Sequence, residues 1–503
     1  MTRALVGPTH PSESASVTVT AQETMDFTEL YKHSGSLVSF SPGAHFVLNA
    51  VHDRVIIRKT DSFQISRTWV IDPTPSESAT LLNKQASKAI RSSTDSRNNS
   101  ISHAAWSSDS EYVLAASVKG GFVQVFKLRD EGWTARIDCG VEGLVKAVWA
   151  PDARTILCFS DWGLRVTMWS LVTGTASYIQ FPIFLDKGFD FHADGRYFVL
   201  AERHKSKDML GLYDASESYK LVRRFPSQTS SLASLALSPT GNHIAVWEGP
   251  LEYKLHIMTL AGNLLASFSP DPEPVLGIRE VAWHPSGMFL AVAGWDDKVH
   301  IIDSLSWSPV TTFELSSRIS SEVAIWREPS KWLEATEGRG FLSYEKLRGP
   351  QTITLNKIDH TKANPKSGAI QLEWNQTGSL LLVRYETTPT AAHLYLFPSP
   401  NEAFVPRLRS VLLHSKTILQ AHWNPVRKGS LALCCGNRSI YTWSDEWEGE
   451  SGEQEEMAEC IGVPAKEFDT RNMSWSRDGK GLILLDKETF CCAFEVEEVT
   501  TLN

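Results

Sequence analysis

One cluster of positions recurs along the chain. A large apolar residue is followed by a small polar residue or Pro, then by Asp, Ser or Thr, and often by Gly. The series opens with Phe40-Ser41-Pro42-Gly43 and Trp106-Ser107-Ser108-Asp109. Trp149-Ala150-Pro151-Asp152, Phe191-His192-Ala193-Asp194-Gly195 and Leu237-Ser238-Pro239-Thr240-Gly241 follow. It continues with Trp283-His284-Pro285-Ser286-Gly287 and Trp374-Asn375-Gln376-Thr377-Gly378, then Trp423-Asn424-Pro425-Val426 and Trp475-Ser476-Arg477-Asp478-Gly479. From Trp106 to Trp283 successive anchors stand 43, 42, 46 and 46 residues apart. The next steps are 91, 49 and 52, and the first, from Phe40, is 66. Each cluster predicts a tight turn between two strands. The period of about 40–45 residues is that of four-stranded propeller blades.

A second marker lies about 20 residues after the anchor, at the end of a β-branched run. Phe126, Trp169, Ile302 and Trp443 hold it. These positions match the place of the WD dipeptide. Trp169-Ser170 and Trp443-Ser444 keep the Trp, while Tyr213-Asp214 and Ile302-Asp303 keep the Asp. After the turn, runs such as Phe289-Leu290-Ala291-Val292-Ala293 are almost continuously apolar. That fits a strand covered on both faces by stacked blades. The chain therefore reads as an all-β WD40-type β-propeller over 25–496, with nine blades preferred to ten. Two rings divided near 316–368 are the alternative. The 91-residue interval holds either a degenerate blade around Val323-Ala324-Ile325-Trp326 or one blade with an insertion. Inserted loops are expected at 73–100, 326–350 and 445–460, with a disordered Ser/Thr-rich leader at 1–24 and a tail at 497–503. An open ring would expose unpaired strand edges. Phe27-Thr28-Glu29-Leu30-Tyr31 is therefore expected to pair with the last blade, which ends in Phe490-Cys491-Cys492-Ala493-Phe494.

The 17 tryptophans in 503 residues acquire a reason, since six sit at the anchors and Trp169 and Trp443 at the second marker. A net charge of −9 argues against a nucleic-acid surface, whose affinity draws on a basic excess. The seven cysteines include no C-x-x-C pair and read as buried free thiols in a reducing compartment. No apolar run reaches the roughly 18 residues of a membrane helix, and the N-terminus lacks a signal-peptide core. A cytosolic or nuclear protein without a membrane partner is expected.

Catalytic chemistry is missing from the sequence. There is no G-x-S-x-G elbow, P-loop, H-E-x-x-H or dinucleotide fingerprint. No catalytic residue, metal site or cofactor is assigned. His192 and His284 lie in the repeat turn and read as structural. Trp162, Trp307, Trp332 and Trp447 fall outside the anchor register, which makes them candidates for exposed partner-binding anchors. The acidic run from Asp445 to Glu459, with Glu448 and Glu450, is a candidate dock for a basic segment. Ser92, Ser93 and Ser96, beside Arg91 and Arg97, are candidate phosphorylation sites.

Several stretches resemble the centrosomal and spindle-pole WD-repeat family known as WD-repeat protein eight. They are Met25-Asp26-Phe27-Thr28-Glu29-Leu30, Leu164 to Leu171, and Gly195-Arg196-Tyr197 with Ala201-Glu202-Arg203 and Lys207-Asp208. More specific are Ala245-Val246-Trp247 with Leu251-Glu252-Tyr253-Lys254, and Lys362-Ala363-Asn364-Pro365-Lys366, which blade architecture does not require. The resemblance runs from about residue 25 to 495 and departs in the Ser-rich segment, the acidic segment and 326–350. It implies a non-catalytic scaffold at the spindle pole body or centrosome. Its implied partners are a coiled-coil microtubule-anchoring protein and, in some lineages, a minus-end-directed kinesin. The competing expectations are an adaptor in another complex, translation-factor-like or for a ubiquitin ligase, and a propeller enzyme.

Overall fold

Why each anchor is a large apolar residue is visible in the computed structural model. It describes residues 25–72, 74, 100–359, 361–362, 365–398, 404–448 and 454–496. The leader, nearly all of the Ser-rich segment and the tail lie outside the described residues. Nine four-stranded antiparallel sheets follow one another along the chain. In each the first, innermost strand ends on an anchor, as in Lys146–Trp149 and Ile278–Trp283. The second strand is buried throughout, as in Tyr112–Ser117, Thr155–Phe159 and Gly481–Leu485. The fourth, at the rim, buries one side chain in each of the first six blades, such as Ile179 in Ala176–Gln180, but three in Arg407–Leu413 of the seventh, where further strands cover it. Burial thus falls outward across the first six blades, because only their inner strands are covered on both faces.

The turn after the anchor is tied locally. The residue following the anchor accepts an N–H five positions on: Ser107 Oγ from Tyr112 (2.9 Å), Ser238 Oγ from His243 (3.1 Å), Asn375 Oδ1 from Leu380 (3.0 Å). The fourth residue after the anchor is left-handed in most blades. Gly195, Gly241, Gly287, Gly378 and Gly479 have φ between 71° and 75°, a region that costs a Cβ-bearing residue energy.

Each of the nine joints between neighbouring sheets holds its own apolar cluster. At six joints the anchor indole also reaches across. Trp106 Nε1 donates to Ser39 O (3.3 Å), Trp149 to Ala105 O (3.1 Å) and Trp283 to Ala236 O (3.2 Å). Trp374 donates to Ala282 O (3.2 Å), Trp423 to Glu373 O (2.9 Å) and Trp475 to His422 O (3.1 Å). The acceptor is always the carbonyl just before the previous blade's anchor. Turn side chains interlock as well: His284 Nε2 lies 3.1 Å from Gly378 O, and Asn424 Nδ2 donates to Gly479 O (2.8 Å).

Trp374 settles the 91-residue interval. Its bond to Ala282, beside Trp283, makes blades 6 and 7 direct neighbours, so the structure is one nine-bladed ring without a hidden tenth blade or a second ring. The inserted residues form a strap with strands of its own, where a loop was expected over 326–350. Ala324–Arg327 adds in parallel to Arg407–Leu413, the rim strand of blade 7, and Glu345–Leu347 pairs with it. Phe341–Ser343 adds to Gln454–Gly462, the rim strand of blade 8. The acidic segment is likewise no simple loop. Ser439–Glu448 and Gln454–Gly462 form a long hairpin. Arg409 on the rim strand of blade 7 holds Asp445 (2.6 Å) and Glu456 (2.5 Å), and Trp326 Nε1 of the strap donates to Glu456 (3.2 Å).

The ring closes as the edge argument requires. Met25–Phe27 and Tyr31–Lys32 pair with Thr489–Glu495 and supply the rim of blade 9.

Candidate partner-binding face

Connections between blades, and the turns joining second and third strands, all emerge on one face of the ring. At blade 3 three of these segments lie together. They are 139–145, the turn 160–164, and 181–188. Phe181 N–H donates to Leu164 O (2.9 Å), and Phe181 O accepts from Arg203 (2.8 Å). Leu185 and the Pro182 carbonyl crowd Gly163 so closely that a Cβ there would touch both. Out of this assembly project Val141, Trp162, Leu164, Phe181 and Leu185, all exposed. Trp162 is 84% exposed, an extreme value for the largest apolar side chain. Two of these residues also hold strained backbone, with φ of 61° at Trp162 and 60° at Phe181. The left-handed region costs a bulky L-residue roughly 1–2 kcal/mol. Strain of this kind persists where surrounding structure enforces it, often at binding sites. Here Asp161 Oδ1 accepts the Trp162 N–H (2.8 Å), while Arg165 pairs with Glu142 (2.5 Å) and lies over the Tyr178 ring.

The other three candidate tryptophans do not join this cluster. Trp332 is 2% exposed, which corrects its reading as an exposed anchor. Its indole donates to Glu328 Oε1 (2.9 Å), which also accepts from Tyr441 OH (2.6 Å), while Ser415 donates to Oε2 (2.7 Å). Burial pushes the Glu328 carboxyl up, but these donors outweigh it and leave it below the usual range. The cluster fastens the strap to blades 7 and 8. Trp307 is half-buried on the opposite face, edge-on to His243 (4.9 Å) and Trp283 (6.3 Å). Trp447, 41% exposed, lies on the acidic hairpin. Glu448 ends that strand, and its side chain lies outside the described residues, as do Glu450, Ser92, Ser93 and Ser96. Sequence reasoning singled out Trp162 but missed Val141, Phe181 and Leu185. The available signal was apolar residues stranded among turn glycines, in Gly140-Val141 and Trp162-Gly163.

Among the described residues, no group of three or more His, Cys, Asp or Glu is placed to hold a metal ion. All seven cysteines are free thiols. The strongest feature of the face is apolar and aromatic, which is the chemistry of protein recognition.

A WD repeat-containing protein of the mouse, WRAP73, is 30% identical over 496 residues, covering 94% of this chain and 97% of that protein. The chain belongs to the WD-repeat family of WRAP73. As a WD-repeat propeller it is a protein-interaction scaffold. An uncharacterised WD repeat-containing protein of Schizosaccharomyces pombe is 21% identical over 411 residues, 77% of this chain and 78% of that one. The family model of the anaphase-promoting complex subunit 4 WD40 domain matches residues 238–326 of this WD-repeat chain. Among solved structures, the C-terminal WD40 domain of Sif2 aligns over 94% of the chain and 99% of its own length, at 10% identity and a TM-score of 0.49. Strand pairing and the joints, not this likeness, establish the nine blades.

Proposed function

We propose that this WD-repeat protein is a non-catalytic scaffold at the spindle pole body or centrosome, where it helps anchor microtubule minus ends with a coiled-coil partner. A minus-end-directed kinesin is a further partner in this reading. The observation that carries it is the ordered run of family-specific stretches between residues 25 and 495, above all Leu251 to Lys254 and Lys362 to Lys366. Part of the first stretch serves packing: Tyr253 is buried, edge-on to Phe268 and His300. Leu251 beside it is exposed, in a connection on the same face as Trp162. A scaffold needs a rigid ring and an accessible face, and this molecule has both. The match of residues 238–326 to a subunit of a different complex favours a second reading, an adaptor in another multiprotein assembly.

C-terminal tagging, imaging through the cell cycle and identification of co-purifying proteins separate the two. One or two foci at spindle poles, with a coiled-coil partner recovered, are expected. Diffuse signal with a different stable complex would replace the first reading by the second.

A further inference from the structure

The face around Trp162 ends in a step. The second and third strands of blade 4, Tyr197–His204 and Lys207–Asp214, have eight residues each. The second strand has five in blade 3, Thr155–Phe159, and six in blade 5, His243–Glu248. Two or three extra residues, at about 3.3 Å apiece, carry the paired strands of the blade 4 hairpin roughly 7–10 Å farther than those of its neighbours, which turn over in the wider segments 160–164 and 249–254. Its tip turns at Lys205 and Ser206, with φ of 49° and 62°, and exposes Lys205 and Lys207. Phe181 lies at the foot of the step, bonded through its carbonyl to Arg203.

Two of the nearby carboxylates are paired with arginines, while Asp161 is bonded to the Trp162 N–H and the exposed Asp186 makes no ion pair among the described residues. Asp208 is paired with Arg203 (2.9 Å) and Glu142 with Arg165 (2.5 Å). Among the described residues no ion pair engages Lys205, Lys207 or Lys187, and Lys187 sits over the Phe184 ring at 4.9 Å. In a chain of net charge −9, this corner is a cationic wall beside an apolar floor.

We propose that the step seats an amphipathic helix of a partner protein, its apolar stripe on Trp162, Phe181 and Leu185 and its carboxylates against Lys205 and Lys207. A helix is about 10–12 Å across, so one laid on the apolar residues of blade 3 runs alongside the extended strands of blade 4. Helices bind grooves through anchors at i, i+3, i+4 and i+7, and opposed charges fix their direction. The shape disfavours a lipid surface, because a flat bilayer meets the charged tip first and leaves the apolar floor recessed. The inference rests on the scaffold reading, not on the spindle-pole assignment.

Its test is a displayed library of random 20-residue peptides, panned on the full-length protein. Trp162→Ala and the double variant Lys205→Glu/Lys207→Glu serve as counter-targets, after thermal melts confirm their fold. Expected winners carry helical apolar spacing with Asp or Glu on one flank, and bind each variant at least ten-fold more weakly. Winners held equally by Trp162→Ala, winners that are basic or Pro-rich, or no Trp162-dependent winner would overturn the proposal. So would flotation with vesicles containing phosphatidylserine, if both variants abolished it. Failure of the spindle-pole reading would appear separately, as mislocalisation with the peptide result intact.

Discussion

At the joint between blades 5 and 6, Trp283 reaches across and bonds the Ala236 carbonyl. At the joint between blades 9 and 1 the equivalent residue is Phe40, which has no N–H to donate. Phe40 instead packs edge-on to Phe494, inside a cluster with Val38, Val47 and Phe490. A cleft of about 540 Å³ opens beside it, lined by Phe46, Lys59, Asp478 and others. What replaces the indole here is backbone: two strands from the N-terminal end of the described chain pair with the last blade. Six of the eight joints between sequence neighbours thus carry an indole bond, the two behind Phe191 and Leu237 rest on their apolar clusters, and the joint between distant ends is fastened by a shared sheet. The difference follows from entropy. Adjacent blades are tethered directly by the chain between them, whereas closing the ring brings together the two ends of the described residues and orders everything between them.

The largest expected effect is therefore at closure. Deleting residues 25–36 removes both strands and the side chains of Met25, Phe27 and Tyr31, and should lower the melting temperature by about 10 °C or more. An unchanged melt would show that the joint holds without them.

Acid should act on other joints first. Burial lowers His300, His393 and His414 from 6.5 to about 4. They lie in blade 6, in blade 7 and between blades 7 and 8, away from closure. A buried neutral histidine binds its proton more readily once unfolded, so its contribution is complete above pH 6.5 and is lost as pH falls toward 4. Protection factors, corrected for the slower intrinsic exchange in acid, should fall at pH 5 in Lys298–Asp303 and Ala391–Leu396 while those of Thr489–Glu495 hold. Uniform loss of protection would contradict this.

Single side chains come next. Trp283→Phe keeps most of the ring but leaves the Ala236 carbonyl without its donor, a loss of about 1–2 kcal/mol in denaturant unfolding. Phe40→Trp places an indole beside the closure cleft and should gain about 1 kcal/mol by the same measure. A gain at Phe40 with no loss at Trp283 would remove the indole bond from the explanation. The smallest effect belongs to Trp162. Trp162→Ala should leave the melting temperature nearly unchanged, because the side chain packs on little.

Much of this arrangement is legible in the sequence. The nine anchors and the turns follow from a repeated pattern whose physics is local, and the closing strand from the edges an open ring would expose. The indole bonds were not legible, because their acceptors are backbone carbonyls one blade away and carry no residue signature. The strap was ambiguous for a different reason: Ala324–Arg327 has the apolar character of a blade strand, and only its parallel pairing with Arg407–Leu413 shows that it belongs to a blade already formed. Trp332 looked like a surface anchor because nothing in its neighbourhood shows that Glu328, four residues earlier, will be buried with it. The face at blade 3 was legible at Trp162 alone. Its other members come from connections on either side of that blade, and only the ring brings them together.

The most direct measurement compares tagged wild-type protein with Trp162→Ala, expressed at equal levels in cells. It counts spindle-pole foci and co-purified partners, with melting temperatures taken on the purified chains. If the ring is a scaffold whose blade 3 face holds its partner, the variant melts like the wild type yet loses its foci and its coiled-coil partner. A variant that keeps both would contradict the assignment of that face, and a wild type without foci would contradict the spindle-pole role.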